Sequence, residues 1–320
     1  MESFADRLAV ITGAGSGMGR ELAVQLAAEG CHLALCDLSE ANLAETKVRC
    51  ADGNPAVTVS THLCDVADED SVLAFRDATL EAHGTDHVHL VFSNAGIGGG
   101  GSFIADERED WERTFNVCWG GVYNVARAFV PLLVAAEAGH LVNTSSINGF
   151  WASLGPNQAH TAYSAAKFAV KGFSEALITD LRLNAPHVKV SVVMPGHIGT
   201  DIVANSRSAM GKEATMTAEE VSVLRARLVT RGLPVDNVPD DAIREFFRQR
   251  AEDFREKAPT SAAEASTVIL DGVRAGRWRI LVGADAEALD ERVRATPEDV
   301  YESEFLARFN ADGHFNALTR

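Results

Sequence analysis

"VITGAGSGMG", residues 10–19, passes from an apolar run straight into a helical pattern through glycines at 13, 15, 17 and 19. The run that leads into it, "RLAVIT" (7–12), is nearly continuous in apolar character, as a strand buried on both faces should be. The segment after it, "GRELAVQLAAEG", reads as a helix that stops at Gly30, a residue suited to a C-cap. A glycine turn between strand and helix allows close backbone approach, and the helix N-terminus favours a pyrophosphate. The spacing G-x-G-x-x-G does not fit, because counting from Gly13 puts Met18 at the last position. The pattern is T-G-x-x-x-G-x-G, through Thr12, Gly13, Gly17 and Gly19. Its place between a strand and a helix predicts a dinucleotide site.

Working outward, "HLALCD" (32–37), "VTVSTHLCDV" (57–66), "VHLVFSNAG" (88–96), "HLVNTSS" (140–146), "VKVSVVMPG" (188–196) and "WRILVG" (278–283) read as further strands. Helical patterns lie between them. The alternation predicts an α/β fold: a doubly wound parallel sheet of about seven strands with helices on both faces. Function then belongs at the C-terminal ends of the strands. One domain is expected over residues 1–320. Residues 201–260 show no clear strand, and "DDAIREFFRQRAEDF" sets Ile243, Phe246, Phe247, Ala251 and Phe254 near one helical face. The tail, 284–320, reads as a helical, polar extension. "GIGGGG" (96–101) is expected to be a flexible loop.

Composition narrows the function. Of 320 residues, 46% are apolar and 23% charged, the profile of a soluble globular protein. The formal charge of −16 disfavours nucleic acids and anionic membranes, which need clustered Lys and Arg. Five cysteines without a C-x-x-C suggest free thiols in a reducing compartment, and a cytoplasmic location is expected. The N-terminus lacks a basic region followed by an apolar one, so no secretory signal is expected. No apolar run approaches the roughly 18–20 residues of a membrane span.

Asp37 ends the second strand, 18 positions beyond Gly19. An acid there accepts hydrogen bonds from the adenosine ribose hydroxyls and repels a 2′-phosphate. Neither Leu38 nor Ser16 supplies a cation, so NAD is expected over NADP. Tyr163 and Lys167 stand four apart and share a helical face. Oxidising an alcohol needs a base for the O–H proton while hydride leaves carbon. A tyrosine, with an ordinary pKa of about 10, is a poor base at neutral pH. A lysine one turn away favours the phenolate.

With "TGAGSGMG", "SNAG" (93–96), "YSAAK" (163–167) and "PGHIGT" (195–200) in order, the chain resembles the short-chain dehydrogenase/reductase family. The likeness is close over residues 5–200 and looser over 261–283. The glycine spacing resembles that of the short single-domain branch. The resemblance implies that Gly13, Gly17 and Gly19, with Ser16 and Met18 in the same loop, hold the pyrophosphate. It implies that Asp65 and Val66 flank adenine, that Asn94, Ala95 and Gly96 run beside the ribose, and that Pro195, Gly196, Ile198 and Thr200 hold the nicotinamide end. Lys167 would also bind the nicotinamide ribose. Ser146 would hydrogen-bond the substrate oxygen; it is chosen over Ser145 because Gly149 follows it by three positions, as in the family. Residues 201–260 fall where the family keeps a lid, and members are commonly dimers or tetramers.

Two departures stand out. Aligning "FNVCWGGVYN" to the family's V-N-x-x-G-V puts Cys118 where an Asn supports a proton relay. Asn116 lies about 200° away around a helix. Ser146 and Tyr163 are also 17 positions apart, about four more than usual, with the surplus around "FWASLGPNQAH". Phe150 and Trp151 either line the substrate mouth or pack in the core. The function expected is NAD-dependent interconversion of a secondary alcohol and a ketone. The aromatic face within 201–260 suggests a bulky apolar substrate (alicyclic, steroid-like or aromatic). The alternative is a catalytically silent NAD-binding regulatory or scaffold protein, since fold does not fix function.

Overall fold

Strand β1 (Leu8–Thr12) is buried at every residue, as its unbroken apolar run requires. It opens a chain of which the computed structural model describes residues 1–154, 158–230 and 232–311. Residues 155–157 of the surplus stretch and 312–320 of the tail, on which parts of the sequence reading fall, lie outside the described residues. After β1 come α1 (Gly17–Ala28), β2 (His32–Asp37), α2 (Glu40–Gly53), β3 (Val59–Leu63), α3 (Glu69–His83) and β4 (Leu90–Ser93). Next are α4 (Arg108–Phe115), a π-helical turn (Asn116–Gly120), α5 (Gly121–Ala135), β5 (Gly139–Thr144) and a 3-10 turn (Ile147–Gly149). The long α6 (Thr161–Asn184) leads to β6 (Val188–Pro195), the short β7 (Ile198–Gly199), α7 (Ile202–Ala209), α8 (Ala218–Thr230) and α9 (Asp240–Glu256). The chain continues through the short β8 (Thr260–Ser261), α10 (Ala262–Arg274), β9 (Arg279–Val282), α11 (Ala284–Ala295) and α12 (Ser303–Ala311).

The main sheet has seven parallel strands in the order β3-β2-β1-β4-β5-β6-β9. The order reverses between β1 and β4, and that switch point opens a crevice at the C-terminal ends of the strands. Adjacent residues of β1 feed opposite cores. Ile11 packs with Leu22 and Leu26 of α1 and Ile269 of α10, whereas Val10 packs with Phe75 of α3 and Phe129 of α5. A third cluster joins Ile147 and Trp151 to Ala286, Leu289, Val300, Phe305 and Phe309 of the C-terminal segment.

Trp151 is therefore a core residue, 1% exposed, with partly buried Phe150 packed against the same cluster. The face expected within α9 splits. Ile243 is buried, Phe254 lies against His197 with ring centroids 4.3 Å apart, and Phe246 is largely exposed.

The loop "GIGGGG" is not the flexible connection its composition suggests. A Cβ on Gly100 (φ +53°) would stand 2.7 Å from the Ala162 side chain, and one on Gly99 would strike Met210. The carbonyls of Gly100 and Gly101 receive the N–H groups of Ala162 (3.1 Å) and Thr161 (2.9 Å), so the loop caps α6. Its glycines meet close approach rather than supply slack. One helical stretch is also longer and more apolar than the sequence runs suggest. The continuous helical stretch Arg108–Ala135 reaches a mean hydropathy of 1.4 and is long enough to cross a membrane. Half of its apolar window is buried, with Val125, Phe129 and Leu133 in the core, so burial in the fold accounts for much of that apolarity.

Candidate active site

A cleft of about 510 Å³ opens over the ends of β1 to β4. Its floor is the turn after β1, where Gly13 (φ +64°) and Gly17 (φ +51°) take left-handed backbone that only glycine adopts without strain. A Cβ on Gly13 would lie 2.9 Å from the Ala95 backbone. Thr12 Oγ1 receives the N–H groups of Asn94 and Ala95, both at 3.0 Å, and the Asn94 side chain donates to the Thr12 carbonyl at 3.1 Å. The first and fourth strands are thereby tied where they meet. Gly13, Ser16, Gly17 and Met18 line the cleft. Gly19 does not; a Cβ there would stand 2.1 Å from the Gly13 carbonyl oxygen, so this glycine lets α1 press against the turn.

Asp37 and Leu38 form one end of the cleft. The Asp37 carboxylate is aimed by two backbone donors, Gly15 N–H at 2.9 Å and Ser39 N–H at 3.0 Å, and each oxygen keeps a free lone pair. Arg20 is turned away, its guanidinium on the Gly15 carbonyl, Thr46 and Glu45. Among the described lining residues the one cation is Arg113, and it is paired with Asp65 at 2.8 Å. Asp65 and Val66 line the next wall, and Asn124 donates to the Val66 carbonyl at 3.0 Å. Asn94, Ala95 and Gly96 continue the lining, and Thr200 faces it from the far side. The left-handed glycine cradle, the aimed carboxylate and the lack of an unpaired lining cation fit a dinucleotide with free ribose hydroxyls.

The other members of the 195–200 turn stand behind the lining. Pro195 and Ile198 are buried, Ile198 within the core under α10. Gly196 packs on Asp285, whose carboxylate would lie 2.2 Å from a Cβ at 196. Close packing accounts for the burial of Pro195 and Ile198 and for the glycine at 196.

Past Gly96 lies the group on α6. Lys167 is buried; its Nζ donates to the Thr144 carbonyl at 2.8 Å and sits 5.4 Å from the centre of the Tyr163 ring. A Cβ on Gly96 would stand 3.6 Å from that Nζ, which places the amine at the end of the cleft. Tyr163 shares a hydrogen bond with the Ser146 side chain, and Ser146 Oγ also accepts the Asn148 N–H at 3.1 Å. Ser145 is engaged elsewhere, donating to the Lys167 carbonyl at 2.7 Å. Gly149 is required by that neighbour, since a Cβ there would lie 2.2 Å from Ser145 Oγ.

Burial pushes the Tyr163 phenol well above its ordinary value; Cys118 adds to the rise and the Ser146 hydrogen bond opposes it. Burial pulls the Lys167 ammonium down. Cys118 lies in the π-helical turn, fully buried, its thiol donating to the Ile97 carbonyl at 3.2 Å, while Asn116 is exposed. π-Helical turns recur at functional sites because they re-aim one side chain.

Several site residues escaped the sequence reading. His160 packs on Tyr163 with ring centroids 4.6 Å apart, and burial lowers its pKa to about 4. Asn205 of α7 donates to Ser16 Oγ at 3.0 Å, so the segment after β7 touches the glycine turn directly. Arg113 and Asn205 reach the cleft from remote helices, Asn124 braces its Val66 wall from behind, and nothing in their local sequence marks them. A signal did exist for His160, which stands just before the helix that carries Tyr163.

The model of the short chain dehydrogenase family matches residues 7–211. SadH of Mycobacterium tuberculosis, whose name gives an oxidoreductase class and no substrate, is 38% identical over 294 residues, 92% of each chain. Levodione reductase of Leifsonia aquatica is 34% identical over 221 residues, 68% of this chain and 79% of its own. A crystal structure of a short chain dehydrogenase/reductase from Burkholderia phymatum in complex with NAD superposes with a TM-score of 0.74 at 32% identity, covering 94% of this chain and 96% of that one. Other solved structures with this fold hold NADP. With seven parallel strands in the family's order and a family match over most of the sheet, the chain belongs to the short-chain dehydrogenase/reductase family of oxidoreductases.

Proposed function

We propose that the protein is an NAD-dependent oxidoreductase that interconverts a secondary alcohol and a ketone. The observation that carries this reading is the meeting of Ser146, Tyr163 and Lys167 beside Gly96, at the end of a cleft whose other end is the Asp37 carboxylate. NAD supplies the hydride acceptor when bound. In the oxidative direction the Tyr163 oxygen takes the alcohol proton, and Ser146 holds the substrate oxygen by a hydrogen bond. Lys167, oriented by the Thr144 carbonyl, stabilises the phenolate and is placed to bind a ribose hydroxyl. In the reductive direction Tyr163 returns the proton. Asp37 supports NAD over NADP, because a 2′-phosphate would meet a carboxylate with no unpaired lining cation nearby.

A bulky apolar substrate is supported by the helices after β7 and by the relative named for levodione reduction. A cytoplasmic homodimer or homotetramer is supported by five buried free cysteines and by exposed Tyr123 and Phe168 on α5 and α6. The charge of −16 supports small molecules over nucleic acid as partners. The test is an NADH-formation screen over secondary alcohols at alkaline pH, from short polyols to bulky alicyclic and aromatic ones. Turnover of the bulky set is expected. Exclusive turnover of small polyols would overturn the substrate class. NAD binding without turnover of any alcohol or ketone would favour the silent nucleotide-binding alternative.

A further inference from the structure

The C-terminal segment grips the catalytic site on two sides. On one side a chain of hydrogen bonds leads away from Ser146. The Asn148 N–H is on Ser146 Oγ, and the Asn148 amide donates to the carbonyls of Trp151 and Ser153, both at 3.0 Å. Trp151 Nε1 then donates to the Val300 carbonyl at 2.9 Å, and the Ala152 N–H to the Tyr301 hydroxyl at 3.2 Å. Residues 148–153 are thus pinned to residues about 150 positions downstream, and burial of Trp151 with Val300, Phe305 and Phe309 fastens the joint.

On the other side Asp285, 3% exposed, accepts the His197 N–H at 2.7 Å and fills the space over Gly196 and Gly283. It therefore holds the turn that carries Thr200 into the cleft. We propose that residues 284–301 form a clasp that positions both the Ser146 loop and the 195–200 turn, with Asp285 and Tyr301 as its positioning residues. The proposal rests on the dehydrogenase reading for its kinetic consequences, not for its geometry.

The experiment uses the full chain with Tyr301→Phe, Asp285→Ala and Asp285→Asn. Tyr301→Phe removes one acceptor, and the alcohol KM is expected to rise about fivefold with kcat and the KM for NAD near wild type. Asp285→Ala is expected to lower kcat about tenfold, and Asp285→Asn to restore it within about twofold, since the amide oxygen still accepts the His197 N–H. Amide hydrogen exchange at residues 148–153 is expected to quicken in Tyr301→Phe whether or not a substrate is in hand. A wild type without turnover would strike at the dehydrogenase reading, and exchange alone would then decide the clasp. Unchanged exchange in Tyr301→Phe, or variants that lose only melting temperature and keep wild-type kinetics, would overturn it.

Discussion

Ser145 Oγ donates to the carbonyl of Lys167 at 2.7 Å, while the next residue, Ser146, turns its hydroxyl to Tyr163. Two adjacent serines at the end of β5 thus divide the work: one braces the helix that carries the lysine, the other faces the phenol. Ser145→Ala should cost about 1 kcal/mol of stability, because it removes a buried hydrogen bond while the Lys167 carbonyl keeps its helical donor, and leave kcat within severalfold. Ser146→Ala leaves the buried Asn148 N–H without its acceptor, so it should also cost about 1–2 kcal/mol of stability, and in addition lower kcat/KM about a hundredfold. Steady-state kinetics on the two variants separate these roles, and a larger fall in kcat/KM for Ser145→Ala than for Ser146→Ala would reverse the assignment.

The pH dependence follows from the phenol. Burial raises the Tyr163 pKa, so oxidation, which needs the phenolate, should quicken as pH rises toward the alkaline range. Lys167→Met removes the neighbouring positive charge and should move the rising limb to still higher pH, by about one unit or more. Rate profiles for the alcohol with each enzyme check this. A limb that stays in place would show that the lysine does not tune the tyrosine.

Cofactor choice should sit in one carboxylate. Asp37→Ala removes a charged acceptor for the ribose hydroxyls, and kcat/KM for NAD should fall about 10- to 100-fold. Asp37→Ala with Leu38→Arg should also raise kcat/KM for NADP. Comparing the two cofactors on these variants tests the claim, and a wild type that prefers NADP would refute it.

A buried histidine predicts acid sensitivity. His140 Nε2 is 2.7 Å from Ser191 Oγ, whose own proton goes to the Arg277 carbonyl, so Nε2 carries a proton and donates it. Its Nδ1 has no partner among the described residues. Burial holds its pKa at about 3, against 6.5 for an ordinary histidine. Below pH 6.5 the unfolded chain binds a proton that the folded one refuses until about pH 3. This contribution is therefore whole above pH 6.5 and is lost as pH falls toward 3, by about 1.4 kcal/mol per pH unit. His140→Gln, which can still donate to Ser191, should flatten that limb in urea titrations from pH 7 to 4. An unchanged slope would contradict the assignment.

What the sequence disclosed was what is local. Unbroken apolar runs marked the strands, because parallel strands here are buried on both faces. The glycine turn, Asp37, Tyr163 and Lys167 were legible because each sits at a strand end or within one helical turn of its partner. Gly19 and Gly196 stand behind the described lining, and glycines that make room for a neighbouring group look the same in sequence as glycines that line a cleft. The loop at 96–101 misled for the same reason. Gly149 selected Ser146, yet its Cβ space is closed by Ser145 and the Lys167 carbonyl. Trp151 with Val300, His197 with Asp285 and Arg113 with Asp65 join residues far apart in the chain, where no periodicity reaches.

If the proposed mechanism holds, Tyr163 is the proton acceptor for alcohol oxidation in this cleft. The most direct measurement is NADH formation by Tyr163→Phe beside wild type, on the best alcohol of the screen, with NAD affinity measured on both. A fall in kcat of about 10²- to 10⁴-fold with NAD affinity unchanged is the expected result. A Tyr163→Phe enzyme that turns over at near wild-type rate would contradict it.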